Sequence, residues 1–503
     1  MIALRLCLVL VLIICAPANT CAGDLIVLNY HDVVADPGND RFAVSRATFV
    51  AHMDYLKKNG YQPLSLASLE QFIDKHTTLP EKAVVLTFDD GLKSYREFVG
   101  PLLEIYQFHS IISLVTAWID GVDVPPEYRG KIMSWDDARQ IAGSRWVSVV
   151  SHTHNLHQGI LANSRGNQRG AATTRQYFQA KQSFEDEVQF RERVRRDLAM
   201  SALRMQQELA RAPHAIAWPY GEYDEVVLAE ARGLGMGLHF VLNDSDNSDL
   251  AKGVVGRTLV VDRPDVESFA KLLIRSTAPV AKHFAELSLD SYVGKTEPEQ
   301  EALLSDTLER LSAMRVTAVI VTPVSVDGRR AFFPTSASAS AADILDRVVH
   351  QIRTRLNIRY VVLRLPANFQ VKDDRIFFTD LARLTRFNAL LFASDVSADR
   401  LKVVRDVVAR YRPHVNYGVF GDLVRSADFD FFLVSSTEFS GTANLDPARL
   451  WVTVSNARDE QALREVVAHL GVLGVINYGV PLDWVSGNSK PREGMDRPTR
   501  SGS

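Results

Sequence analysis

Two places in the chain carry residue types able to do chemistry together. Residues 83–91 read AVVLTFDDG, an apolar run ending on adjacent carboxylates, Asp89 and Asp90, then Gly91. Further on, SHTHNLH supplies His152, His154 and His157. A catalytic metal needs a few ligands converging on one point, with a position left open for water or substrate. One carboxylate and two imidazoles from separate strand ends meet that need, so Asp90, His152 and His157 are the candidate ligands and His154 a further one. Neighbouring side chains at a strand end need not point the same way. Asp89 is then left as candidate general base toward a water whose acidity the metal raises. The donor set suits zinc, nickel, cobalt or iron. Plainer readings stand beside these. Asp-Asp-Gly is ordinary turn chemistry, and three histidines in six residues also make a polar loop.

A hydrolytic centre also needs donors for a developing oxyanion. The WPYG turn, Trp218–Gly221, offers the Tyr220 amide. Trp118, Trp135, Trp146 and Trp218 are candidates to line a binding cleft, although core packing is the default for each. His239 sits in a strand-like stretch and reads as a core or surface residue.

The elements that must position these residues alternate between strand and helix. DLIVLNY at 24–30 is a strand pattern, and Arg46–Gly60 has helical periodicity. A helix opens near Leu64 with a capping look at Ser68. Then follow the Ala83 strand, a helix over Tyr95–Tyr106, a strand at Ser110–Ala117, a helix capped by Ser134 and the strand Trp146–Val150. Gln158–Ser183 is polar and reads as a surface insertion. It precedes a charged helix, Phe184–Leu209, whose charges read as a solvated face. Strands at His214–Trp218, Leu238–Leu242 and Gly256–Val261 follow. This order predicts parallel α/β architecture. A second series, about seven to eight βα units from Glu286 to Tyr478, predicts a (β/α)8-type barrel.

The chain has 503 residues, enough for two or more domains. A formal charge of −3 gives no bulk-charge basis for nucleic-acid binding. Arg5, the apolar run Leu6–Ile14 and the small residues after it have the pattern of a secretory signal peptide, cleaved after Ala18 or Ala22. All three cysteines, Cys7, Cys15 and Cys21, lie in that segment. Export across the inner membrane to the periplasm is the expectation, with lipidation at Cys21 and an outer-membrane lipoprotein as the alternative.

TFDDG, SHTHNLH and AWPYG resemble the three leading motifs of the polysaccharide deacetylase family, carbohydrate esterase family 4. The resemblance covers roughly residues 24–275. The five-residue histidine spacing and the long insertion are similar to the periplasmic subgroup that acts on poly-β-1,6-N-acetyl-D-glucosamine, a biofilm exopolysaccharide. That subgroup carries a C-terminal (β/α)8 glycoside-hydrolase-like domain, and residues 285–485 look like a divergent copy. The resemblance implies Asp89 as base, and a divalent metal held by Asp90, His152 and His157. It implies hydrolysis of the acetamide on some glucosamine units during export and biofilm formation. The implied partners are the β-linked polymer and the export machinery, including an outer-membrane porin.

Ala217-Trp218 stand before Pro219 where the family places an arginine that orients the base, so Asp89 is expected to lack that support. No Leu-x-His motif follows residue 221. The second barrel is poor in acids at its expected strand ends. Asp395 is its glycan-site candidate, and Asp290 and Glu438 read as caps or surface charges. A barrel that binds glycan without cleaving it, or that supports the first domain, is the expectation. The competing readings are a deacetylase of another glycan, peptidoglycan or chitooligosaccharide, and an inactive glycan-binding secretion scaffold. The expected organisation is a signal peptide over 1–22, a deacetylase domain over 24–275, the second barrel over 285–485 and a disordered tail over 486–503.

Overall fold

The computed structural model describes residues 25–75, 77–242, 249–274, 282–313, 316–393, 396–420, 428–435, 450–453 and 475–479. The expected signal peptide, Cys21, Asp395, Glu438 and the tail lie outside the described residues.

The first sheet is built from seven principal strands. They are β1 (Ile26–Tyr30), β2 (Ala83–Phe88), β3 (Ser110–Leu114), β4 (Val147–Ser151), β5 (Ala215–Ala217), β6 (Leu238–Leu242) and β7 (Val254–Leu259). Their order in space follows their order in the chain, and β1 pairs with both β7 and β2. The sheet therefore closes on itself as a parallel barrel. Ile26–Tyr30 lie opposite Val84–Phe88 in register. Strand periodicity of two sets what each face does. Phe88 packs its ring against Tyr30, Phe49 and Tyr95. Thr87 and Asp89, one step to either side, join a separate polar network with Asn29. The pairing partners at the top of β1 and β2 thus stack aromatics on one face and polar groups on the other.

The second sheet has eight parallel strands, β8 (Lys282–Leu287), β9 (Ala318–Val321), β10 (Tyr360–Leu365), β11 (Ala389–Phe392), β12 (Asn416–Phe420), β13 (Phe431–Ser435), β14 (Leu450–Thr453) and β15 (Val475–Gly479). Strands β8 to β14 run in chain order, β15 lies on the free side of β8, and β14 contacts β15. Among the described residues this is the strand order of the expected (β/α)8 barrel. Phe284, Ile320, Val362, Leu391, Phe431 and Leu433 fill its interior. Side chains of alternate residues from successive strands supply that layer, as the barrel geometry requires. Asp290 accepts the Val326 amide at 3.2 Å and the Ser288 hydroxyl at 2.8 Å, so it fastens a loop.

Several local expectations need correction. The cap of helix Leu66–Ile73 is Ser65, not Ser68, because the Ser65 hydroxyl accepts the Ser68 amide. The helix at 95–106 begins as a π-helical turn, Tyr95–Val99, and becomes α-helical over Gly100–Tyr106. The polar stretch at 158–183, expected as a surface insertion, does not lie wholly on the surface. It folds into two short antiparallel ladders and buries Asn163, Asn167, Arg169, Thr174 and Arg175. Arg175 pairs through its two terminal nitrogens with Asp224 at 2.8 Å and Glu187 at 3.1 Å. Burial of such charge is tolerated when it is paired and hydrogen-bonded.

Candidate metal centre

Strand β2 ends at Phe88, and Asp89 still donates its amide to the Tyr30 carbonyl, 3.1 Å away. Asp90 then takes φ 75° and Gly91 φ 70°. A left-handed pair this tight is natural for Asp followed by Gly. The reversal separates two carboxylates that are adjacent in sequence, as the alternation argument anticipated. Both are buried.

Asp89 sits in a ring of donors. Arg257 Nη1 reaches Oδ1 at 2.7 Å and Nη2 reaches Oδ2 at 3.0 Å. Ser113 donates to Oδ1 at 2.7 Å and Asn29 to Oδ2 at 3.0 Å. Arg257 also reaches Asn29 Oδ1 at 2.9 Å, and Thr87 donates to the same oxygen at 3.0 Å. The expected lack of an arginine for Asp89 is therefore corrected. Ala217-Trp218 do occupy the motif position, but a guanidinium arrives from β7 instead. Position 257 is a charged residue inside VVGRTLVV, an otherwise apolar strand. A lone arginine in a buried strand demands a buried anion, and that was the signal available in the sequence. Four donors match the roughly four lone-pair sites of a carboxylate.

The histidines come from the end of β4. His152 Nδ1–H donates to the Ala217 carbonyl at 2.7 Å, which directs Nε2 away from that bond. His157 packs its ring between Trp118, at 4.8 Å, and Tyr220, at 4.7 Å, with the His152 ring 5.0 Å away. Ligand atoms of Asp90, His152 and His157 all lie within 4.8 Å of one another. Metal–ligand bonds of about 2.0–2.2 Å put neighbouring ligand atoms some 3–4 Å apart. The three groups therefore need only a small closure to share one ion. Among the described residues this is the only cluster of its kind.

His154 points elsewhere. Its Nδ1 lies 2.9 Å from the Thr116 hydroxyl. Burial lowers its pKa, with Asp120 opposing and Arg204 assisting. The backbone on either side of it is pinned by Asp197, from the long helix Glu187–Leu209. Oδ1 accepts the His154 amide at 2.9 Å and Oδ2 accepts the Asn155 amide at 2.7 Å. Thr153, with φ 71°, makes the turn between the two histidines. The sequence reading missed Asp197 because it lies among other charges on a helix that looks like an ordinary solvated one.

The WPYG turn lies beside this loop. Tyr220 has φ 59° and ψ 8°, unusual for an aromatic residue, and its side chain is 49% exposed next to His157. Trp218, grouped with Tyr220 as a candidate for oxyanion or substrate contact, has no exposed surface and stacks on His239 at 6.2 Å. Its ring is core and lines no cleft. His239 is itself buried, which pushes its pKa down to about 3 with help from Arg232. It serves as packing, as its place in a strand implied. Near the carboxylates, burial and then the charge of Asp90 hold the Tyr128 phenol well above its ordinary range.

Comparison with known proteins gives a consistent pattern. Residues 76–239 match the polysaccharide deacetylase family. The chain is 28% identical over 346 residues to the poly-β-1,6-N-acetyl-D-glucosamine N-deacetylase of Escherichia coli strain K12. That match covers 66% of this chain and 52% of the relative, so the chain spans about half the length of the curated relative. Among solved structures, a de-N-acetylase from Aggregatibacter actinomycetemcomitans is 30% identical. It covers 50% of this chain and 99% of its own, with a TM-score of 0.46. A deacetylase domain from Bordetella bronchiseptica is likewise 30% identical, covering 47% and 95%, with a TM-score of 0.42.

Proposed function

Because the chain belongs to the polysaccharide deacetylase family through residues 76–239, we propose that it is a metal-dependent N-deacetylase. Its substrate in this reading is poly-β-1,6-N-acetyl-D-glucosamine, the polymer named for the Escherichia coli relative. The observation that carries the reading is the convergence of Asp90, His152 and His157 beside Asp89.

Asp90, His152 and His157 would hold the ion, and one carboxylate with two imidazoles suits zinc, nickel, cobalt or iron. When bound, the ion supplies Lewis acidity that polarises the acetamide carbonyl and acidifies water. The remaining work falls to the chain. Asp89 accepts a proton from the attacking water, and the buried ring of Arg257, Asn29 and Ser113 fixes its orientation. The His152–Ala217 bond fixes the tautomer of one ligand. The Tyr220 amide is assigned to the oxyanion, and the exposed Tyr220 ring to sugar contact. The carbonyl carbon gains a bond to the water oxygen and loses its bond to nitrogen, which takes up the proton that Asp89 accepted, leaving acetate and an amine. Amines make the polymer cationic.

The N-terminal segment is proposed to direct export to the periplasm, where the polymer and its export porin would be the partners. The second barrel is proposed to hold glycan without cleaving it.

Acetate release from β-1,6-linked N-acetylglucosamine oligomers, with and without a chelator, tests the reading. Chelator-sensitive release supports it. Release indifferent to chelator overturns the metal assignment. Release from chitooligosaccharide or peptidoglycan alone overturns the substrate assignment, and release from none of them favours the inactive scaffold.

A further inference from the structure

A different group of residues encloses a pocket of about 290 Å³. Three arginines line it, Arg169, Arg353 and Arg386, against two carboxylates, Glu222 and Asp346. The carboxylates are already engaged. Arg386 pairs with Glu222, and Arg169 Nη1 lies 3.1 Å from Asp346 Oδ1. Asp346 also accepts from Asn163 at 2.6 Å. Arg353 donates to the backbone carbonyl of Arg359 at 2.6 Å, and no carboxylate among the described residues pairs with it. The Arg169 side chain is only 4% exposed, and its Nε is buried with no hydrogen-bond partner.

Positive charge is therefore in excess around a cavity partly screened from water. Burial, and then Arg386, draws Arg353 down to about 10. Nearby Arg412 is drawn down to about 9 by burial and then by Arg386 and Arg169. Like charges held together in this way call for a counter-charge. The guanidinium fork matches the two oxygens of a carboxylate better than any other common side chain. The pocket is at the small end of ligand sites, large enough for a small acid or one acidic sugar.

We propose that this pocket is an anion site that takes a carboxylate, held by Arg353 and Arg169. Two sources share that chemistry. One is the free acetate that the proposed deacetylation releases, and this source alone rests on that reading. Tyr220 supports it, because it lines the pocket while its ring centre lies 4.7 Å from that of His157. The other is an acid group carried on a sugar.

The test is calorimetric titration of the full chain, stripped of metal, with sodium acetate and with sodium glucuronate at constant ionic strength in chloride. Stripping the metal removes the competing carboxylate site and makes the result independent of turnover. Saturable binding that weakens at least tenfold in Arg353→Gln supports the site. Glucuronate binding tighter than acetate assigns it to an acidic sugar, and the reverse assigns it to the released product. If Arg353→Gln fails to fold, Arg353→Lys decides, since it keeps the charge and loses the fork, and binding should still weaken at least threefold. No saturable binding of either anion, or binding unchanged in both variants, overturns the proposal. The arginines would then be an ion-pair brace. Binding of either anion by the stripped protein, alongside no acetate release by the same protein reloaded with metal, would sink the proposed function and leave the anion site standing.

Discussion

Arg257 grips both carboxylate oxygens of Asp89, at 2.7 and 3.0 Å, from a strand 168 positions further along the chain. Both side chains are buried, 1% and 4% exposed. Removing one partner of such a pair strands the other's charge, at about 3–5 kcal/mol. Arg257→Met is expected to lower unfolding stability by that order and to abolish acetate release. Arg257→Lys keeps the charge but not the two-point grip. It should recover most of the stability and little of the rate. Denaturant unfolding and acetate release, measured on both variants, separate the two effects.

Asp89→Asn and His157→Ala should fail in different ways. Asp89 belongs to the donor ring and not to the ligand cluster. Its amide variant should retain metal while losing roughly 10²–10⁴ in rate, the usual worth of a positioned base. His157→Ala should lose both metal and rate. Elemental analysis of the purified variants reads the difference. An Asp89→Asn protein with full activity would end its assignment as base.

Asp197 makes a testable link between the long helix and the histidine loop. Burial raises its pKa to about 6, against the opposing pull of the His154 and Asn155 amides. The native state therefore holds the proton more tightly than the unfolded chain, whose value is near 3.8. Asp197 favours folding fully below about pH 4, and that contribution is lost as pH rises through 6. Asp197→Asn should remove this dependence. It should also loosen the loop by losing one acceptor, so metal affinity falls about 10–100-fold, as for other residues that orient metal ligands. Metal titration and melting temperature against pH report the two consequences.

His239 acts with the opposite sign. Its pKa of about 3 lies below the ordinary 6.5, so its stabilising contribution is complete above 6.5 and is lost as pH falls toward 3. Between pH 4 and 6 the two groups nearly cancel, each contributing about 1.4 kcal/mol per pH unit. Asp197→Asn should therefore unmask a loss of stability on acidification across that interval. His239→Phe should unmask a gain. Parallel slopes for wild type and both variants would show that neither group titrates as described.

The parts of this architecture that were legible in sequence are those with a local cause. The apolar runs ending at Phe88 and Ser151, and the helix Ala398–Tyr411, follow from periodicity. The ligand trio follows from residue types placed just beyond strand ends. What stayed hidden was set by distant partners. Arg257 is an anomaly in an apolar strand until Asp89 is placed beside it. Arg169 and Arg175 looked solvated because their composition is polar, and only Asp346, Asp224 and Glu187 make their burial tolerable. Trp218 looked available because it lies in the same turn as Tyr220, yet its ring is fully buried, and only the left-handed backbone at Tyr220 carries the second ring out to solvent.

Closure of the first barrel has a consequence for how the protein matures. Strand β1 is flanked by β2 and β7, so the seam is sealed by the last strand to be synthesised. Asp90, His152 and His157 are all made before that strand, whereas the arginine that holds Asp89 arrives with it. Long-range pairing of this kind is slow to form, because loop closure must precede the contacts that reward it. A chain emerging N-terminus first therefore carries its ligands ahead of its oriented base. In the proposed mechanism the base is held in place only once residue 257 has docked, so the last strand of the barrel is also the one that completes the site.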